Sequence, residues 1–156
     1  YAVLRTDGQV STVGRATFSQ WQIAGCPHHG PGLAIDSDGA RHAVWYEASH
    51  GPAIWYGQLD PGQPPRHRLK IAAAGASHAD VAVRGHTVWV VWNQVGADAY
   101  RLMLRSSRDN GTHFDAAREI ASSSGAAGSP QLLQKDGRAF VAWNTATGFR
   151  LIPVTP

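Results

Sequence analysis

The chain has 156 residues, enough for one domain with a hydrophobic core, and carries a formal net charge of +3. Only 16% of its residues are charged, whereas 17 are glycine, nine are proline and six are tryptophan. This composition favours many short strands joined by tight turns and argues against long helices. The basic residues are scattered, which argues against a nucleic-acid-binding face. No apolar run reaches the roughly 18 residues of a membrane span.

The two ends of the sequence suggest a processed or truncated product. The chain does not begin with methionine and shows no signal peptide. Its single cysteine, Cys26, excludes an internal disulfide bond and leaves the compartment open. Residues 2–8 predict a strand and a turn, and residues 20–23 predict the strand that follows.

A pattern of about fifty residues repeats along the rest of the chain. In each copy a strand and a glycine-containing turn precede a second strand that contains tryptophan. These tryptophans are 47 and 51 residues apart: Trp45, Trp92 and Trp143. A third strand follows each of them, at 53–57, 100–104 and 149–154. A fourth follows at 68–71 and 118–120. The unit is therefore four antiparallel strands, named a to d in order.

Four-stranded repeats of this length predict the blades of an all-β propeller. A β-sandwich also contains short alternating strands and is the alternative fold, but the self-similarity favours the propeller. We predict two full and two partial blades, an arc of a six- or seven-bladed ring. The expected divisions are a blade end at 1–25, blades at 26–74 and 75–123, and an incomplete blade at 124–156. Another protein chain, a lost segment or a second copy is expected to supply the missing blades.

The turn between strands c and d of the second blade reads Ser107-Arg108-Asp109-Asn110-Gly111-Thr112-His113-Phe114. The Asp109 carboxylate can accept hydrogen bonds from N–H groups of its own turn, and Gly111 can supply a positive φ. The pattern S-x-D-x-G-x-x-F resembles the Asp-box of sialidases and other BNR-repeat β-propellers. We interpret Ser107, Asp109, Gly111 and Phe114 as a structural Asp-box without a catalytic role.

The resemblance implies a sialidase-like propeller exported to a bacterial periplasm or secreted. It also implies a ligand site at the mouth of the central channel, where the d-to-a and b-to-c connections meet, on the face opposite the Asp-box. Sialidases use three arginines, a Tyr–Glu nucleophile pair and an aspartic acid/base. Tyr46 and Glu47 are adjacent on one strand and therefore point to opposite sides. We expect a non-catalytic binding or scaffold module; a split or truncated sialidase-type glycoside hydrolase is the alternative.

The d-to-a connection at 25–31 carries the densest group of metal-binding residue types. Thiolate and imidazole groups suit copper or zinc, and blade symmetry places His78 near His28 or His29. The predicted metal ligands are Cys26, His28, His29 and His78. Binding of another small ligand, or a purely structural role, are the alternatives. The predicted ligand-binding residues on the same face are Glu47, His50, Asp80 and Asn93.

Overall fold

The computed structural model describes residues 1–19, 21–22 and 29–155, in which all regular structure is β-strand. Thirteen strands form four antiparallel sheets, here named A to D in chain order. The prediction of an all-β chain is confirmed. The described part of the chain contains no helix long and apolar enough to cross a membrane.

Sheet A contains β1 (Ala2–Leu4) and β2 (Val10–Val13). Sheet B contains β3 (Gly32–Ile35), β4 (Arg41–Glu47), β5 (Ala53–Leu59) and β6 (Arg66–Ala72). Sheet C contains β7 (Ala76–Arg84), β8 (Thr87–Val95), β9 (Tyr100–Ser107) and β10 (Arg118–Ser123). Sheet D contains β11 (Gln131–Lys135), β12 (Arg138–Thr145) and β13 (Gly148–Val154).

Sheets B, C and D have the same internal order and register. In each of them, strands that are consecutive in sequence are neighbours in the sheet. The tryptophan of the second strand faces a residue of the third: Trp45 pairs with Trp55, Trp92 with Met103 and Trp143 with Arg150. The sequence repeat therefore corresponds to a repeated antiparallel sheet.

Sheet A differs from the prediction. Its second strand is β2, not residues 20–23, because the chain reverses directly after β1. Gly8 has a φ of 80° and donates its N–H to the Arg5 carbonyl over 2.9 Å, which closes a tight turn. Trp21 and Gln22 lie outside any strand, and the other two residues of the predicted strand lie outside the described ranges.

The core lies between stacked sheets. Between sheets B and C, Val44, Ile54 and Tyr56 of sheet B pack with Val90 and Trp92 of sheet C. Between sheets C and D, the buried residues include Trp89, Leu102, Leu104, Val141 and Trp143. Each sheet is too thin to bury its apolar residues by itself, so the stacking supplies the hydrophobic burial that stabilises the fold.

The 107–114 turn is held by its own polar groups. Ser107 Oγ donates to Asp109 Oδ1 over 2.7 Å and accepts the Gly111 N–H over 2.9 Å. Asp109 Oδ1 accepts the His113 backbone N–H over 2.9 Å, and its Oδ2 lies 2.7 Å from His113 Nδ1. The backbone N–H of His113, its ring and the Ser107 hydroxyl together hold the pKa of Asp109 well below its usual range.

This turn also fastens sheet C to sheet B. The Phe114 ring meets the Tyr56 ring edge to face, with centroids 4.8 Å apart. Gln58 Nε2 donates to the Asn110 carbonyl over 2.8 Å. Gly111 lies directly against the Tyr56 hydroxyl, and a Cβ at Gly111 would collide with it. The turn therefore closes one end of the B–C seam.

Two glycine substitutions separate backbone strain from this contact. Gly111 and Gly39 have nearly the same φ, 82° and 81°, but a Cβ at Gly39 would meet open space. The left-handed backbone costs a residue with a side chain roughly 1–2 kcal/mol, so Gly39→Ala is expected to lower the free energy of unfolding by about that amount. Gly111→Ala is expected to cost about 1–3 kcal/mol more, because it adds overpacking against Tyr56. Urea unfolding measures both; equal losses would contradict the packing of the turn on Tyr56.

Candidate functional site

A cleft of about 350 Å³ lies where the first strands of sheets B, C and D begin. Its walls are residues 30–31, just before β3, residues 78–80 of β7, and residues 129–133 at the start of β11. The cleft therefore lies on the edge where three successive sheets approach one another.

His78 lies in this cleft with an unusual backbone conformation. Its φ is 52°, which a residue with a side chain rarely adopts. The strain coincides with a β-bulge, since the pairing of β7 with β8 shifts register between Ser77 and Asp80. Bulges of this kind re-aim a side chain and are frequent beside functional sites.

A row of aromatic rings leads to His78. The His29 ring lies 5.0 Å from the His78 ring and stacks on Tyr46 with centroids 4.4 Å apart. Trp21 meets Tyr46 edge to face at 5.5 Å. The expectation that His78 lies near His28 or His29 is confirmed for His29.

Only His29 and His78 of the predicted metal ligands belong to the described part of the chain. Cys26 and His28 lie outside it. Among the described residues, no group of three or more His, Cys, Asp or Glu side chains is placed to hold a metal ion. Two neighbouring imidazoles are fewer ligands than a protein zinc site normally has, so the predicted copper or zinc site has no support from these residues.

Asp80 lines the cleft, but both of its carboxylate oxygens have backbone partners. Oδ1 accepts the N–H of Val81 over 2.9 Å, and Oδ2 accepts the N–H of Leu132 over 2.7 Å. Gly32 of β3 packs so closely that a Cβ there would lie 2.9 Å from Oδ1. Asp80 thus joins the first strands of neighbouring sheets, the structural alternative considered for residues at this position.

Asn93 has a similar linking role. It is fully buried; its Nδ2 donates to the Gly128 carbonyl over 2.9 Å, and its Oδ1 accepts the Trp143 indole N–H over 3.0 Å. Because both polar atoms of the side-chain amide are bonded to sheet D or the segment before it, Asn93 fixes sheet C against sheet D.

Glu47 is buried and bonded within the protein. Its carboxylate accepts hydrogen bonds from Ser49 Oγ over 2.5 Å, from Trp45 Nε1 over 3.3 Å and from Arg68 Nη2 over 3.3 Å. Burial by itself would raise the pKa of Glu47, but the hydrogen bonds from Ser49 and Trp45 and the charge of Arg68 outweigh it, so the pKa is lowered. Tyr46 points to the other side of β4, towards His29. Tyr46 and Glu47 therefore do not face one site.

His50 lies outside the cleft, and two residues that were not predicted line it. His50 is exposed and contacts Ser49, away from the residues that line the cleft. The cleft instead contains Ser129 and Gln131, which were not among the residues predicted from the sequence. The sequence repeat could have predicted Gln131, because it is the sheet D counterpart of Asp80. Gln131 pairs with Ala142, the residue before Trp143, and Asp80 pairs with Val91, the residue before Trp92.

A chain of titratable groups also lies inside the B–C seam. His42 is 0% exposed; its Nδ1 lies 2.7 Å from Tyr56 Oη and its Nε2 3.3 Å from Asp36 Oδ2. A carboxylate can only accept a hydrogen bond, so His42 Nε2 carries the proton and donates to Asp36. His42 Nδ1 then accepts a hydrogen bond from the Tyr56 hydroxyl. The arrangement resembles a catalytic relay, but the Gly111 turn covers Tyr56, and the Asp36 side chain is only 3% exposed. We assign it a structural role.

The pKa shifts of this chain agree with a closed polar seam. Burial lowers the pKa of His42, and the nearby Asp36 carboxylate offsets only part of that effect. Burial would raise the pKa of Asp36, but the N–H groups of Ala40 and Asp38, together with His42, lower it overall. The folded protein therefore holds a neutral imidazole and an ionised carboxylate side by side.

Comparison with models of known protein families gives no match for the chain, and comparison with curated proteins gives none.

The buried imidazole makes stability depend on pH. The unfolded chain takes up a proton at His42 near the ordinary histidine pKa of about 6.5, whereas the folded protein resists protonation because burial lowers the pKa of His42. The free energy of unfolding is therefore expected to fall as the pH drops below about 6.5, and to fall further near pH 4 as Asp36 is protonated in the unfolded chain. Urea unfolding between pH 8 and 5 checks this slope.

His42→Gln removes the titrating group, and the exposed His50→Gln is its matched control. The His42 variant is expected to be less stable at pH 8 but to show a flatter pH dependence, because the neutral amide takes up no proton. The His50 variant should keep the slope of the parent protein. If His42→Gln retained the full slope, the buried neutral imidazole would not be its source.

Proposed function

We propose that the chain is part of a sialidase-like Asp-box β-propeller that acts as a non-catalytic binding module, with its ligand site in the cleft at His78. Sheets B and C would be full blades, and sheets A and D partial ones. The repeated order and register of sheets B to D, their face-to-face stacking and the bonds of the 107–114 turn support this proposal. By the same resemblance, we propose export to the periplasm or outside the cell.

The positions of the turn and the cleft agree with this proposal. Ala76, at the start of β7, pairs with Gln94, near the end of β8, on the edge that bears the cleft. Ser107, where the Asp-box turn begins, pairs with Val88 at the other end of β8. The cleft and the turn thus lie at opposite ends of the strands, as the resemblance implies for a ligand site and an Asp-box.

The observation that carries the proposal is the strained backbone of His78 in a cleft shared by three sheets. The His78 imidazole, the Ser129 hydroxyl and the Gln131 amide offer hydrogen-bond donors and acceptors, whereas Pro130 and Leu133 offer apolar contacts. Convergent polar groups on a partly apolar wall are typical of small-ligand sites. We therefore propose a small, hydroxyl-rich ligand, of the size and chemistry of a monosaccharide.

The same geometry favours binding over hydrolysis. Sialidases differ from most glycosidases in using a Tyr–Glu nucleophile pair with an aspartic acid/base, and these groups must face one substrate. The Asp80 carboxylate in the cleft is bonded to two backbone N–H groups. Glu47, which does not line the cleft, is bonded to Ser49, Trp45 and Arg68. Neither is placed to serve as a free acid or base.

Binding at the cleft can be tested with a matched pair of histidine variants. Asparagine tolerates a positive φ, so His78→Asn removes the imidazole while keeping the backbone. His67→Asn is the control, because His67 has a φ of 49° and is exposed on β6. Against a panel of monosaccharides that includes N-acetylneuraminic acid, His78→Asn is expected to weaken binding about tenfold, the effect of losing one hydrogen bond. His67→Asn should leave the dissociation constant unchanged.

Saturation-transfer NMR detects which monosaccharides bind, and calorimetry measures the dissociation constant of each variant. Absence of binding to every sugar, or equal weakening by both variants, would contradict a saccharide site at His78. Release of methylumbelliferone from its sialic acid glycoside by the unmodified protein would instead support the hydrolase.

A further inference from the structure

Sheet D leaves an apolar face uncovered. Phe149 is 68% exposed, Leu151 54% and Leu133 45%. The face is continuous, because Leu133 pairs with Phe140 and Leu151 pairs with Ala142 across the sheet. Large apolar side chains grouped on one sheet face mark an interaction surface.

The same positions are covered in sheet C. Leu102 of sheet C is the counterpart of Phe149 of sheet D. Leu102 pairs with the residue after Trp92, and Phe149 pairs with the residue after Trp143. Leu104 of sheet C corresponds in the same way to Leu151 of sheet D. Leu102 and Leu104 are fully buried, because sheet D packs over them with Val141 and Trp143. The repeat therefore indicates what covers such a face: the opposite face of another sheet of the same kind.

Sheet B exposes part of that opposite face. Leu33 is the sheet B counterpart of Leu132 in sheet D. Leu33 pairs with Ala43, two residues before Trp45. Leu132 pairs with Val141, two residues before Trp143. Leu132 packs in the core between sheets C and D, whereas Leu33 is 54% exposed. Ile35, two residues further along β3, is 61% exposed. The rest of that face is covered within the chain, since Ala43 and Trp45 pack with Ala16. Leu33 and Ile35 are therefore the exposed part of the receiving face.

Charged residues at the edge of the two faces follow the same correspondence between sheets. In the C–D contact, Arg84 lies against the turn of sheet D; a Cβ at Gly137 would be 3.3 Å from Arg84 Nη1. Lys135 is the counterpart of Arg84, since each ends the first strand of its sheet. The corresponding turn of sheet B, at 36–40, carries the exposed Asp38. Stacking sheet D on sheet B would bring Lys135 towards Asp38. Arg138 pairs with Lys135 on the one face and Arg41 pairs with Ile35 on the other, so the repeat, and not charge, selects this pairing.

We propose that sheet D of one copy of this chain stacks on sheet B of a second copy, head to tail. Such a contact joins two different faces, so it either closes into a ring or continues from copy to copy. The proposal depends on the sheet faces alone. Its failure would leave ligand binding at His78 untouched.

Two double variants and their mixture test the contact. Leu133→Asp with Leu151→Asp disables the sheet D face, and Leu33→Asp with Ile35→Asp disables the sheet B face. In sedimentation velocity, the unmodified chain is expected to form assemblies that grow with concentration, and each variant alone is expected to be monomeric. An equimolar mixture is expected to form a one-to-one dimer, because each variant retains the face that the other lacks. Val95→Asp, at an exposed position on neither face, is the control and should assemble like the parent.

Several outcomes would overturn the proposal. One is a parent chain that remains monomeric up to the highest soluble concentration. A mixture of variants that stays monomeric is a second. Assembly that depends on the sheet D face but not on Leu33 and Ile35 is a third, because it would indicate contact between two copies of sheet D. The milder variants Leu151→Ser and Leu33→Ser, checked by circular dichroism, give the same test if an aspartate pair unfolds the chain.

Discussion

The fold depends on the seams between stacked sheets, where apolar burial and buried polar groups must be satisfied together. Apolar side chains such as Trp92 and Trp143 supply the area removed from water. Polar groups buried in the same seams would be costly without partners, and most of them are bonded; within the described part of the chain, the Trp89 indole N–H is an exception. Tyr56 meets His42 beneath the Gly111 turn, and Asn93 meets Trp143. Hydrophobic burial drives the stacking, and these bonds fix how each sheet is positioned on the next.

The same requirement determines which residues are left for function. Asp80 and Glu47 carry carboxylates, but their oxygens are bonded to backbone N–H groups, to Ser49 or to Arg68. The cleft retains His78, held by a strained bulge, together with Ser129 and Gln131. A site of imidazole, hydroxyl and amide groups, whose carboxylate is already bonded to backbone N–H groups, suits recognition of a polar ligand better than glycoside hydrolysis. This is the physical basis for favouring a binding module.

A stacked repeat leaves two end faces without neighbours. Sheet D ends with exposed Phe149 and Leu151, and sheet B exposes Leu33 and Ile35 on the side away from sheet C. Sheet C, which lies between them, has both of its faces covered. The cleft at His78 and the exposed faces are separate features: the cleft lies along the strand ends, whereas the exposed faces lie across the sheet surfaces.

Local patterns in the sequence determined most of the strands, the tryptophan positions and the 107–114 turn, because alternation and turn chemistry depend on residues close in the chain. The same reasoning missed β2, since the tight turn at Gly8 brought a nearer segment to β1. Only the tertiary structure decided the roles of Asp80 and Asn93, whose partners Leu132 and Trp143 lie 52 and 50 residues away. A carboxylate or amide looks the same in a sequence whether it faces a ligand or a distant backbone N–H. Which of the two it meets is set by how the sheets stack.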